Sequence, residues 1–90
     1  MKRDYLLVPN VRPMHAIICE VANKYGLTHN ELVSNRRSRQ VAWPRQEAMW
    51  RCAKETTFSL PDIGRALGGR DHTTVIYGIR RYEQRMRANG

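Results

Sequence analysis

Acidic residues are scarce in this chain of 90 residues: eight Asp and Glu stand against sixteen Lys and Arg, leaving a formal charge of +8 and a pI near 10.3. A compact domain with that excess repels itself until it meets a polyanion, and nucleic acid is the first candidate. Long apolar runs are missing too. No stretch approaches the roughly 18 uninterrupted apolar residues of a membrane-spanning helix. The opening Met1-Lys2-Arg3-Asp4-Tyr5-Leu6-Leu7-Val8-Pro9 holds an apolar run of four residues, shorter than the roughly 7 to 15 of a secretory leader. These absences predict a cytoplasmic protein with no membrane partner.

Cysteine is rare as well. Cys19 and Cys52 lie far apart, each inside an apolar helical pattern where cysteine acts as a small hydrophobe, so no disulfide framework is expected. His15 and Cys19 fall one helical turn apart, but no CxxC or HxxxH supplies the other ligands of a zinc site, and neither a metal nor a cofactor is expected. The GxxxxGK[ST] loop of an ATPase is also missing. Asp71-His72 has no nucleophile beside it to complete a catalytic triangle. A chain of this length builds one modest core rather than a catalytic domain plus a binding domain, so the expectation is a protein that is not an enzyme.

What is present reads as an all-α domain of five to six short helices. Residues 1–11 lack helical periodicity, so residues 1–13 are expected to form an amino-terminal arm and residues 14–90 the helical domain. Pro13 suits a first-turn position, and Met14, Ile17, Ile18, Val21, Ala22 and Tyr25 form one apolar stripe ending at Gly26. Thr28 and Glu31 have capping-box spacing before a short helix over residues 30–34 that buries Leu32 and Val33. Asn35-Arg36-Arg37-Ser38-Arg39 reads as a basic loop. A longer helix follows through Thr56, with Ala48, Met49, Cys52 and Ala53 inward; Pro44 marks either its start or a bend. Ser59 and Asp62 repeat the cap spacing before Ile63, Ala66 and Leu67, and Gly68-Gly69 ends that helix. Asp71 is placed to cap the last helix, whose buried stripe is Val75, Ile76, Ile79, Tyr82 and Met86.

Residues 60–81 thus have the layout of a helix-turn-helix, with the motif extending to about residue 85. In that geometry His72, Thr73 and Thr74 meet base edges or nearby phosphates, and Arg70 contacts phosphate beside them. A second cluster supports the same reading. Arg36, Arg37, Arg39, Arg45 and Arg51 put five guanidinium groups into sixteen residues with only Glu47 opposing them, a density suited to neutralising phosphates or entering a narrow minor groove. A positioning patch plus a base-reading helix is the division of labour of sequence-specific DNA binding.

The runs Ser34-Asn35-Arg36-Arg37-Ser38-Arg39, Pro44-Arg45-Gln46, Ser59-Leu60-Pro61-Asp62-Ile63-Gly64 and Gly68-Gly69-Arg70-Asp71-His72-Thr73-Thr74-Val75 resemble, in this order, the carboxy-terminal DNA-binding domain of the bacterial replication initiator DnaA. The likeness covers residues from about 14 to 85. It implies a helical domain, similar to the Trp repressor in its helix-turn-helix, that binds the DnaA box as a monomer in the nucleoid. It also implies Arg37 in the minor groove and Asp71, His72, Thr73 and Thr74 reading the major groove. Asp71 would accept from a cytosine amino group, and Thr74 would be divided between base and backbone.

Phosphate contacts are implied for Arg45, Gln46 and the backbone at Leu60 and Pro61, with Arg36, Arg39 and Arg70 as neighbours. Where the family often carries a basic residue this chain has Ala53, with Lys54 one position on, a rotation of about 100°. Lys54 is kept as the candidate. Asn35 and Trp43 also depart from the family's usual residues, so the preferred box is open to change. The implied function is recognition of DnaA-box-like sites in double-stranded DNA, regulating replication initiation or transcription. The alternative is a protein-interaction module that docks on the initiator or another regulator, for which the Trp43, Trp50 and Tyr77 rings speak and which leaves a dimer open.

Overall fold

The apolar stripe that opens at Met14 forms helix α1 (Met14–Lys24) in the computed structural model, which describes residues 13–89. The expected arm therefore lies, Pro13 apart, outside the described residues. Pro13 stands one place before the helix rather than in its first turn, and its carbonyl accepts from the amides of Ala16 and Ile17 at 3.1 and 3.4 Å. Ile17, Ile18, Val21 and Ala22 are buried. The helix closes in a Schellman turn, with Gly26 at φ +72°, its amide on the Asn23 carbonyl at 3.2 Å and the Leu27 amide on Ala22 at 2.8 Å. Tyr25, expected to end the buried stripe, is exposed because the chain leaves the helical path at that residue.

Helix α2 (His29–Val33) begins one residue earlier than expected, and its capping box is complete. The Glu31 amide donates to Thr28 Oγ1 at 3.0 Å and the Thr28 amide to Glu31 Oε1 at 2.9 Å. Leu32 is buried and Val33 half-buried. Helix α3 (Arg39–Glu55) settles the question at Pro44: the helix starts five residues before it and runs through it. The ring therefore removes one helical hydrogen bond, at the Gln40 carbonyl, without ending the helix. Arg39, expected in the loop, is the first helical residue.

Helix α4 (Leu60–Ala66) is capped by Ser59, whose Oγ accepts from the Asp62 amide at 3.3 Å. Helix α5 (His72–Asn89) completes an all-helical fold among the described residues. Helix α3 is central and packs against each of the other four. The core joins Ile17, Ile18 and Val21 of α1 to Leu32, Met49, Cys52, Ile63, Leu67 and Val75. A Cβ at Gly78 would lie 2.4 Å from Met49 Sδ, so glycine is what lets α5 approach α3 this closely. Val75 is buried as expected, Ile76, Ile79 and Tyr82 only half so, and Met86 is exposed because it lines an open cleft beside Trp43 rather than entering the core. None of the described helices is long and apolar enough to cross a membrane.

Candidate nucleic-acid interface

The turn between α4 and α5 is built from local hydrogen bonds. The amides of Gly69 and Arg70 both donate to the Gly64 carbonyl, at 3.0 and 2.9 Å. Gly68 has φ +93°, and a Cβ there would lie 2.3 Å from the Val33 carbonyl oxygen, so both conformation and space require glycine. Asp71 then caps α5: its Oδ1 accepts from the Thr74 amide at 3.0 Å and from the Thr73 hydroxyl at 2.7 Å. The Thr73 and Thr74 bonds hold its carboxyl down at about 2. An ionised acceptor therefore stands beside His72, Thr73 and Thr74, all exposed on the first turn of α5.

The five arginines do not form one patch. Arg36 and Arg37 are exposed in the loop, and Arg39 stacks on the Trp43 ring at 5.1 Å. Arg45 is buried, 7% exposed. Its Nε donates to the Leu32 carbonyl at 2.8 Å, and its Nη2 donates to Ser34 at 2.8 Å and Arg36 at 2.9 Å. Arg70, expected at phosphate, uses its guanidinium similarly, donating to the carbonyls of Val33 at 3.2 Å, Ser34 at 2.7 Å, and Leu67. Burial and then the charge of Arg70 push Arg45 down to about 10, and burial lowers Arg70 as well. An anion nearby would relieve both groups.

Arg51 leaves the cluster altogether, because it lies on the side of α3 that faces α1. It pairs with Glu20 at 2.8 Å and Glu55 at 2.7 Å, and those carboxylates, Glu55 first, raise its pKa. Glu47 does not oppose the arginines either. It is buried, 4% exposed, and takes Lys24 Nζ at 2.8 Å and the Tyr25 hydroxyl. The Glu47 carboxylate raises Lys24; burial and then the same carboxylate raise Tyr25.

The structure nevertheless brings distant candidates together. Arg37, Arg45, Gln46, Arg70 and Thr74 line one groove of about 340 Å³, with Met49, Tyr77 and Gly78 completing its wall. Gln46 Oε1 accepts from Arg85 Nη1 at 2.5 Å, which turns the amide nitrogen of Gln46 into its free donor. Arg85 itself stacks on Trp43 at 4.2 Å. Thr73, Ile76, Tyr77 and Arg80 line a second groove of about 320 Å³ along α5. Arg80, which is not among the candidates from the sequence, lines this groove with Thr73 seven residues before it, a spacing that places both on one side of a helix.

Other candidates lie apart from the main groove. Lys54 stands over Trp50 at 5.8 Å, while Leu60 is half-buried and Pro61 exposed at the start of α4. His15 and Cys19 do meet, at 3.5 Å. Trp50 is partly buried, donating to Glu83 at 3.2 Å and packing on Tyr82, whereas Trp43 and Tyr77 are exposed.

Residues 14–81 match the family described as the bacterial dnaA protein helix-turn-helix. The chain is 58% identical over 62 residues to the chromosomal replication initiator protein DnaA of Caulobacter vibrioides (strain NA1000 / CB15N), covering 69% of this chain and 13% of that protein. It is 43% identical over 76 residues to the same-named protein of Jannaschia sp. (strain CCS1), covering 84% and 16% respectively. For Rhizobium meliloti (strain 1021) the identity is 48% over 69 residues, covering 77% and 14%. The chain therefore spans only a small part of the length of the curated relatives it matches. On these matches, it belongs to the family of the bacterial DnaA helix-turn-helix, a family of DNA-binding domains.

Proposed function

We propose that this chain reads DnaA-box-like sites in double-stranded DNA and regulates replication initiation or transcription beside them, through binding rather than ATP hydrolysis. The observation that carries this reading is the groove shared by Arg37 and Thr74, which come from a basic loop and a reader helix far apart in sequence. One copy lays Arg37 into the minor groove, while Asp71, His72, Thr73 and Thr74 meet the bases of the major groove. The ionised Asp71 carboxylate suits a cytosine amino donor.

Arg36, Arg39, Lys54 and the free amide of Gln46 hold phosphates, with the backbone at Leu60 and Pro61 presented to phosphate beside them. Arg45 and Arg70 add their positive charge at the same place. In fluorescence anisotropy at about 150 mM salt, where nonspecific charge binding weakens, the chain is expected to prefer a DnaA-box duplex over a scrambled duplex by roughly tenfold or more. Equal affinities would sink the proposal.

A second reading is docking on the replication initiator itself. It draws on a cleft of about 440 Å³ lined by Tyr25, Trp43, Tyr82, Arg85 and Met86, where three large apolar side chains stay exposed together. Capture of the initiator after complete DNA digestion, lost in Trp43→Ala, supports it; capture that vanishes with the DNA refutes it.

A further inference from the structure

We infer that Arg45 and Arg70 form a clamp that sets the distance between the minor-groove reader and the major-groove reader. They thereby determine specificity by position, without touching a base. The inference rests on the box-reading function proposed above.

Both guanidinium groups converge on one atom, the Ser34 carbonyl oxygen, at 2.8 Å from Arg45 and 2.7 Å from Arg70. From there Arg45 reaches the Leu32 and Arg36 carbonyls, and Arg70 reaches those of Val33 and Leu67. The acceptors at Leu32, Val33 and Ser34 are the open carbonyl end of α2, and Leu67 is that of α4, the ends where helices favour a cation. One fork therefore ties α2 and the basic loop to α3, and the other ties the end of α2 to the glycine turn. Gly68 makes the second path possible, since a Cβ there would lie 2.5 Å from Arg70 Nη1.

The reading residues adjoin the clamp directly. Arg37 follows the Arg36 carbonyl that Arg45 holds, and Asp71, the cap of the reader helix, follows Arg70 itself. The two readers are thus joined through side-chain bonds to backbone, beside the close approach of Gly68 to the Val33 carbonyl. Two grooves read by parts at a fixed separation demand a fixed number of base pairs between them. Lysine keeps the charge of arginine but has no planar fork to span two carbonyls. Arg70→Lys should therefore keep attraction to phosphate and lose the clamp.

The test is anisotropy of the full chain, wild type and Arg70→Lys, on three duplexes over a range of salt. They are a DnaA-box duplex, the same duplex with one base pair inserted between the minor-groove and major-groove segments, and a scrambled sequence. The wild type is expected to weaken roughly tenfold or more on insertion, the scale of a misread site. Arg70→Lys is expected to weaken about threefold or less on insertion, with its salt slope unchanged. An insertion penalty in Arg70→Lys equal to that of the wild type overturns the clamp. So does a salt slope lower by about one, which marks a lost phosphate contact instead. Equal wild-type binding to box and scrambled duplexes overturns the function and the clamp together. Backbone nitrogen relaxation below the melting temperature gives a second readout: amides of residues 34, 35 and 68, whose peptides Arg70 holds, that gain motion in Arg70→Lys while those of α3 do not support the clamp, and unchanged order overturns it.

Discussion

The basic stretch over residues 35–51 and the turn over residues 64–74 both supply groups to one groove, but they are organised on different principles. In the turn the backbone and the cap are held by near neighbours, Gly64 accepting from the amides of Gly69 and Arg70 and Asp71 from Thr73 and Thr74, and the Arg70 guanidinium alone reaches away, to Val33 and Ser34. In the basic stretch, side chains of one type have five different surroundings: a loose pair with Glu31 at 3.8 Å for Arg36, solvent for Arg37, the Trp43 ring for Arg39, backbone carbonyls for Arg45, and two carboxylates for Arg51. Each step along α3 turns a side chain by about 100°, so the role of an arginine there depends on which helix it happens to face. Local bonding shapes the turn, and distant packing decides which charges stay exposed.

The largest effect should come from collapsing the difference between arginines on α3. Arg45→Ala leaves the Leu32 and Arg36 carbonyls without their side-chain donor, Ser34 keeping Arg70, and is expected to lower stability by about 2 to 3 kcal/mol, read as a shift in the urea midpoint. A variant that kept its stability and lost only DNA affinity would return Arg45 to the phosphate-contacting set. Next is the reader helix: His72→Ala should cost about 1 to 3 kcal/mol of discrimination between box and scrambled DNA with its melting temperature unchanged. Equal weakening on both duplexes would remove His72 from base reading.

Arg36→Ala should instead weaken all sequences alike and lower the salt slope by about one, measured by the same titration. Smaller still, Arg51→Ala should change stability by less than about 1 kcal/mol, because its pairs are partly exposed and screened. A cost as large as that of Arg45→Ala would erase the contrast between the two sides of α3.

The smallest effect concerns pH. The folded pKa of Asp71 lies below its ordinary value of 3.8, at about 2, so its cap is complete above the ordinary value and fades only as pH falls through the lower one. A carboxyl chemical-shift titration should find the midpoint near 2. A midpoint at the ordinary value would mean that the Thr73 and Thr74 bonds do not hold the carboxylate in solution.

Helix positions, caps and the turn were legible in the amino-acid order because their causes are local. Thr28 with Glu31, Ser59 with Asp62, and Asp71 with Thr74 each bond three residues apart, and Gly26 and Gly68 stand where only a left-handed residue fits. The apolar periodicity of α1 was equally plain up to Tyr25, where the helix ends. Tertiary structure alone decided that α3 begins before Pro44, that Glu47 turns to Lys24 and Tyr25, and that Met86 opens onto a cleft. It also decided that Arg45 and Arg70 hold backbone, and that Arg37 and Thr74 share a groove. A long charged side chain reaches any of several neighbours from the same backbone position. Which one it reaches is settled by the helices that pack beside it, and nothing in its own stretch of sequence records that choice.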